Sequence, residues 1–353
     1  MGSRVDLRCL TLAQLEQQVE RWGLPRFRAR QIFAWVHGRG VVSTEPMTDL
    51  ARALRTDLAA RVDLSPLSVE QEFCADDGTR KLRLGLADGR QVETVLIPDG
   101  DKLTQCLSTQ VGCGLGCRFC ATAGMGLLRN LTAGEIVDQV YRAQVGTRPS
   151  NLVFMGMGEP LNNLDAVLDA IDILCTDIGA NFSPRRITVS TAGVVPGINE
   201  LGRRNANVGL AVSLNATTDE VRDELMPVNR RWPLRVLLEA LRRYPLPRRR
   251  RITFEYVLIA GLNDTAQDAR RLVPLLNGIR AKVNLIPYNP VARPNPRGAG
   301  EPARQLRRPH AAAVEAFAER LRERDLSTFV RQSRGDDIAA ACGQLVANVG
   351  DEG

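Results

Sequence analysis

Histidine and lysine are almost missing from this chain. Histidine stands only at 37 and 310, and lysine only at 81, 102 and 282. Two isolated imidazoles leave no spacing for a histidine-based zinc site, because zinc takes Cys and His ligands from closely spaced motifs. No run of 18 apolar residues occurs, and the first thirty residues carry charges throughout. The sequence therefore predicts neither a membrane span nor a cleaved secretory leader, and points to the cytoplasm. Arginine, by contrast, is abundant. The chain carries 47 basic and 40 acidic residues, for a formal net charge of +7. Such a balance favours an anionic partner such as nucleic acid. Arg runs occur at Arg203-Arg204, Arg230-Arg231, Arg248 to Arg251 and Arg304 to Arg308. The near-absence of lysine gives part of this excess a purely compositional origin, so charge alone does not establish RNA binding.

The 8 cysteines are unevenly spread. Cys113, Cys117 and Cys120 fall in the segment Gly112-Cys113-Gly114-Leu115-Gly116-Cys117-Arg118-Phe119-Cys120. A metal-binding role in a reducing compartment suits this pattern better than a disulfide scaffold does. Three thiolates can hold three irons of a [4Fe–4S] cluster and leave the fourth iron open to bind and reduce a small molecule. Glycines at 112, 114 and 116 let the backbone wrap tightly around a bulky core. A zinc knuckle would need a fourth nearby ligand. Cys9, Cys74 and Cys175 read as small apolar residues.

Residues 1–65 read as a helical module. Apolar positions Leu12, Leu15, Val19 and Trp22 run up to the break Gly23-Leu24-Pro25, with further amphipathic stretches at 27–36 and 50–62. Residues 66–103 form a linker in which Lys81 to Leu86 and Val92 to Ile97 alternate around Ala87-Asp88-Gly89, predicting a β-hairpin. From 104 to 330 the period switches regularly between strand and helix. Strands are expected at 104–111, 151–156, 186–190, 208–214, 252–258 and 281–287. Helices are expected at 132–146, 163–178, 195–205, 217–243 (interrupted near Pro227 and Pro233), 264–278 and 309–324. Six βα units imply an α/β fold with parallel strands and right-handed crossovers. They fall short of the eight that close a TIM barrel, so an open, partial (βα)6 barrel is expected. Residues 331–353 make a C-terminal segment that carries Cys342.

Barrel geometry concentrates function at the C-terminal ends of strands. The second strand ends in Met155-Gly156-Met157-Gly158-Glu159-Pro160, the third in Ser190-Thr191, the fourth in Ser213-Leu214-Asn215 and the sixth in Tyr288-Asn289. Each alone is a common strand-ending turn. Taken in one register, they outline a pocket.

The cysteine spacing and its surroundings resemble the radical S-adenosylmethionine (AdoMet) superfamily. That resemblance implies Cys113, Cys117 and Cys120 as cluster ligands and a partial barrel. It also implies AdoMet contacts at Gly158, Glu159, Ser190, Ser213, Leu214, Asn215 and Asn289. More narrowly, Cys106 to Cys113, Arg129 to Thr132, Phe154 to Leu161, Met226-Pro227-Val228-Asn229 and Arg334 to Leu345 resemble the RlmN/Cfr family of RNA adenine methyltransferases. Gly23-Leu24-Pro25 and Phe27 to Trp35 match that family's accessory helical domain. The similarity spans about residues 10 to 347.

Carbon 2 of adenine is electron-poor and has no acidic proton to lose, so direct methyl transfer fails there. The family's solution, carried onto this chain, makes Cys342 the methyl acceptor from one AdoMet. A radical drawn from a second AdoMet activates that methyl, Glu93 takes the ring proton, and Cys106 resolves the adduct as a transient disulfide with Cys342. The resemblance further implies 23S rRNA and tRNA as substrates, flavodoxin or ferredoxin as electron donor, and a monomer. The rival within the family methylates carbon 8, as in the Cfr antibiotic-resistance branch. One position departs from the family, which usually has His where Asn215 stands.

Overall fold

The computed structural model describes residues 4–144, 147–291 and 305–346. The ends of the expected helix 132–146 and of the C-terminal segment, residues 292–304 with Arg304, and residues 1–3 lie outside these.

The N-terminal module starts with β1 (Val5–Asp6), followed by α1 (Leu12–Arg21), α2 (Phe27–Phe33), α3 (Arg52–Arg61) and β2 (Val62–Asp63), which pairs in parallel with β1. Thr11 opens α1 as a capping box with Gln14, satisfying two backbone donors that a helix start leaves open. Leu15 and Val19, one turn apart, are buried with Ile32, Phe33 and Val36, as a 3.6-residue period requires.

Four strands follow: β3 (Ser68–Cys74), β4 (Arg80–Gly85), β5 (Gln91–Asp99) and β6 (Lys102–Cys106). The expected hairpin is thus a three-stranded antiparallel extension, β3-β4-β5, and it is fused to the barrel sheet through antiparallel β5–β6 pairing. β3 leaves little trace in the sequence because its side chains are mostly exposed and lack apolar alternation. The strand expected at 104–111 breaks at Leu107–Thr109. Its remainder, β7 (Gln110–Gly112), pairs instead with β8 (Leu127–Asn130), flanking a short helix α4 (Ala121–Gly124).

The barrel then runs through α5 (Ala133–Ala143), β9 (Asn151–Phe154), α6 (Leu164–Cys175), β10 (Ile187–Thr191), α7 (Val195–Arg204), β11 (Gly209–Ser213), α8 (Asp219–Leu225) and α9 (Leu234–Arg243). It closes its run with β12 (Ile252–Leu258), α10 (Ala266–Leu275), β13 (Ala281–Pro287), α11 (Ala311–Arg322) and β14 (Thr328–Val330). The strand order is β14-β13-β12-β11-β10-β9-β6-β5-β4-β3. From β6 to β14 every pairing is parallel, and each strand lies beside its successor in this run. β14, a parallel strand beyond the six expected, was hidden by its brevity. Among the described residues β3 and β14 remain unjoined edges, so the barrel is open.

The two faces of the sheet differ, one packed under helices and the other turned to the barrel interior. In β12, Ile252, Phe254, Tyr256 and Leu258 are buried, and the helices answer with stripes such as Leu234, Leu237, Leu238 and Leu241 of α9. These four alternate residues share one face of the strand, whereas Thr253, Glu255 and Val257 point to the barrel interior. Against that background a charged residue inside β12 stands out.

Candidate active site

The loop between β7 and β8 is built around glycine. Gly112 has φ +75°, and a Cβ there would lie 1.9 Å from the Gly126 carbonyl oxygen. That carbonyl accepts a hydrogen bond from the Cys113 N–H at 2.8 Å. Only glycine can make this crossing, because its missing side chain admits both the left-handed backbone and the close approach. The loop that follows places Cys113, Cys117 and Cys120 on the wall of a cavity of about 160 Å³ at the C-terminal mouth of the barrel. Burial pushes the Cys113 thiol up to about 12 and Cys117 well above its ordinary value, and the neighbouring thiols add to both shifts. Thiols held this way favour the neutral form until a cation arrives. Among the described residues no three ligand-type side chains gather closely enough to hold a single metal ion. The three thiols instead share the rim of one cavity, which suits an inorganic cluster several atoms wide.

The strand ends complete the wall. Gly158 (φ +101°), Glu159, Ser190, Ser213 and Asn289 all line the same cavity. Glu159 is held from behind: its carboxylate accepts from Leu161 N–H at 3.1 Å and Ala192 N–H at 2.8 Å. Burial raises its pKa to about 7. Asn289 Oδ1 accepts from the Ser333 hydroxyl at 2.6 Å, tying the last barrel loop to the C-terminal segment.

Leu214 and Asn215 do not line this cavity. Leu214 is fully buried behind it. Asn215 adopts φ +58°, a conformation that Asn tolerates better than most side chains. Its Oδ1 accepts from Val257 N–H at 2.8 Å and its Nδ2 donates to Met226 Sδ at 3.2 Å. The side chain at this departure from the family pattern therefore serves the strand crossover behind the cavity wall.

The C-terminal segment docks directly on the thiol loop. Ala121 N–H donates to Gly343 O at 2.7 Å, and the Thr122 hydroxyl donates to Leu345 O at 2.6 Å. Gly343 has φ +87°, and a Cβ would meet Phe119 O at 2.9 Å. Cys342 is thereby carried to the cavity rim, where it lines both the main cavity and an adjoining one of about 100 Å³ that also contains Cys106. Cys342 is exposed and yet surrounded by protein: the open surface faces the cavities. Burial raises its pKa, Arg331 opposes this, and Glu255 and Cys120 add to it. Cys106, the last residue of β6, is pushed up to about 12 by burial and then by Cys342. The two thiols, far apart in the chain, are electrostatic neighbours.

Glu93 lies deeper. It is fully buried in β5, with Lys81 Nζ at 3.4 Å and Arg83 Nη2 at 3.3 Å, and it accepts from Val346 N–H at 3.2 Å. It touches the segment that carries Cys342 but lines neither cavity.

Three residues that carried no motif shape the site. Arg222 of α8 is fully buried and forks to Leu214 O (3.0 Å), Ala192 O (2.7 Å), Ser213 O (3.1 Å) and Asn229 Oδ1 (3.0 Å). It ties together the ends of β10 and β11. Arg331, just past β14, lines the cavity of the two thiols. Glu255 lines the main cavity from β12. Its signal was a lone carboxylate in Ile252-Thr253-Phe254-Glu255-Tyr256, a run otherwise fit for burial.

An open parallel barrel whose thiol-bearing loop sits at the C-terminal mouth defines the radical AdoMet class of enzymes. Residues 107–273 match the family model of the Radical SAM superfamily, and residues 5–64 match that of the ribosomal RNA large subunit methyltransferase N-terminal domain. The dual-specificity RNA methyltransferase RlmN of Syntrophobacter fumaroxidans is 52% identical over 98% of this chain and 99% of its own length. That of Geobacter sulfurreducens is 50% identical over 98% of this chain and 93% of its own length. A radical SAM methyltransferase crystal structure from Sphaerobacter thermophilus superimposes with TM-score 0.88 at 47% identity, covering 97% of this chain and 99% of that one. The chain belongs to the RlmN family of dual-specificity RNA methyltransferases.

Proposed function

We propose that this chain methylates carbon 2 of an adenosine in the peptidyl transferase centre of 23S rRNA, and the adenosine 3′ of the anticodon in some tRNAs. Membership in the Radical SAM superfamily implies a [4Fe–4S] cluster and AdoMet, and the cavity at the barrel mouth fits both: three thiols at one end, and strand-end polar groups around it. Cys113, Cys117 and Cys120 would hold the cluster, and Gly158, Glu159, Ser190, Ser213 and Asn289 would contact AdoMet. Bound there, the pair would supply a carbon-centred radical able to take hydrogen from a methyl thioether.

The protein's own groups do the rest. Cys342 accepts the methyl group, and its sulfur carries that carbon to the adenine ring. Glu93 accepts the ring proton; its hydrogen bond to Val346 N–H keeps it within reach of the Cys342 segment. Cys106, as thiolate, then attacks the Cys342 sulfur; the bond from that sulfur to carbon breaks, the released carbon takes up a proton to become the methyl group, and a disulfide remains. Two electrons and two protons from an external reductant restore the thiols. The 1–65 module binds RNA in this reading, the 66–103 segment and 104–330 barrel build the site, and 331–353 delivers Cys342. The protein acts as a cytoplasmic monomer, with a flavodoxin or ferredoxin as electron donor and two AdoMet consumed per turnover.

The observation that carries this reading is the cavity shared by Cys106 and Cys342 beside the three-thiol loop. Simple electron transfer has no use for two further thiols there. Carbon 2 is favoured over carbon 8 by the names and near-complete coverage of the relatives. Anaerobically reconstituted protein, treated with rRNA or tRNA, should yield 2-methyladenosine on nucleoside digestion. Intact-protein mass spectrometry should find Cys342 one methyl group heavier, and Cys106→Ala should accumulate a covalent RNA adduct. Turnover by Cys342→Ala would refute the mechanism, and 8-methyladenosine as product would refute the position.

A further inference from the structure

Glu255 is a buried acid in the middle of a strand otherwise built for burial. It is 4% exposed. Its neighbours in the sheet are Ser213 on β11 and Asn284 on β13, both in direct register. Asn284 Nδ2 donates to Glu255 Oε1 at 3.0 Å and so fixes the plane of the carboxylate. The second oxygen, Oε2, has no hydrogen-bond partner among the described residues. No Lys, Arg or His among them stands within ion-pair distance of it either; burial raises its pKa, and Arg331 and Lys282 from further off only partly oppose this.

A buried polar oxygen left unpaired is costly, more so when charged. Such groups are rare in native proteins and call for an explanation. Here the explanation is the cavity. Glu255 lines the same wall as Ser213 and Ser190, beside the three-thiol loop. Adjacent strands stand about 4.8 Å apart, so Ser213 and Glu255 present a hydroxyl and a carboxylate side by side. That pair matches a vicinal diol, whose two neighbouring O–H groups need two acceptors. Acidic side chains recognise ribose hydroxyls in this way in dinucleotide-binding sites.

We propose that Glu255 binds the ribose diol of AdoMet, with its free Oε2 accepting a hydrogen bond from a ribose hydroxyl and Asn284 holding the carboxylate in position. The assignment rests on the reading that this cavity binds AdoMet. The diol spreads two O–H donors over neighbouring oxygens, as β11 and β12 spread their two acceptors. The α-ammonium and the adenine amino group each hold their N–H donors on one nitrogen, and the deoxy analogues separate them from the diol.

The test is equilibrium binding under anaerobic conditions to the cluster-loaded full-length protein, using AdoMet and its 2′-deoxy and 3′-deoxy analogues. In wild type at least one deoxy analogue should bind about tenfold or more weakly than AdoMet, the loss of one charge-assisted hydrogen bond. In Glu255→Gln the Asn284 contact holds the amide oxygen, so an NH₂ group replaces the acceptor. That variant should bind AdoMet about tenfold more weakly and lose less than about threefold more on removal of the same hydroxyl. Unchanged AdoMet affinity in Glu255→Gln would overturn the proposal. So would a deoxy penalty in the variant as large as in wild type, which would assign Glu255 to the ammonium or the adenine amino group. Should the variant lose its fold or its iron, wild type decides alone: a penalty under about threefold for both analogues overturns the diol contact. Wild type with a full cluster and no AdoMet binding at all would instead refute the cavity assignment itself, and the proposal with it.

Discussion

Arg222 offers a demanding test of how the site is held together. Its guanidinium is fully buried and makes four hydrogen bonds of 2.7 to 3.1 Å, three of them to backbone carbonyls at the ends of β10 and β11. Ser213, one of those carbonyl bearers, also lines the main cavity. Replacing Arg222 by Lys keeps the charge and most of the length, but substitutes a point ammonium for a planar fork. From one position the ammonium cannot reach acceptors on both sides of the guanidinium, so at least two of the four are abandoned. Each buried acceptor left unpaired costs about 1–3 kcal/mol, which sets the penalty at roughly 2–6 kcal/mol. Against a typical total stability of about 5–15 kcal/mol this is severe. Thermal unfolding of purified Arg222→Lys should show a Tm lower by roughly 3–8 °C. The exposed Arg230→Lys control should stay within about 0.5 kcal/mol of wild type. An Arg222→Lys Tm within about 1 °C of wild type would refute the argument that the fork anchors the strand ends.

Two further outcomes follow from other positions. Gly112→Ala should lose iron binding together with more than about 2 kcal/mol, because its new methyl would sit 1.9 Å from the Gly126 carbonyl oxygen. Gly89→Ala has a similar φ of +79° with nothing within 4 Å, and should cost only about 1 kcal/mol with full iron loading in a colorimetric assay. His37 should make the protein acid-sensitive. Burial lowers its pKa from 6.5 to about 3, so the unfolded chain binds a proton that the folded one refuses. The stability it contributes is full above pH 6.5 and is lost as pH falls from 6.5 toward 3, which amounts to about 2 kcal/mol between pH 6.5 and 5. Thermal melts at those two pH values should converge in part in His37→Gln; an unchanged slope would remove His37 as the cause.

Much of the fold was legible because its signals are local. The alternation of strand and helix periods, the split of the fourth helical stretch near Pro227 and Pro233, and the glycine-rich thiol loop all depend on residues a few positions apart. The missed elements lacked local apolar contrast: β3 is a mostly exposed edge strand, and β14 has only 3 residues. At the site, the strand-end residues Ser190, Ser213 and Asn289 were readable from barrel register. Asn215 was readable as a position, but its backbone conformation and its side-chain contacts behind the wall were not.

What the sequence determined by itself was the chemistry on offer: three thiols on a glycine loop, two more thiols far apart, and polar residues at successive strand ends. Residue type and short spacing carry that information directly. The tertiary structure alone decided which of these groups share a space. Cys106 and Cys342 meet because the C-terminal segment hydrogen-bonds to the thiol loop through Gly343 and Leu345, and Glu93 is buried, engaged with Lys81 and Arg83, where an isolated strand would leave it in water. Arg222 and Glu255 became visible only there as well. Their importance lies in which buried polar atoms are paired and which are not, a property of burial and three-dimensional neighbours that no one-dimensional pattern encodes.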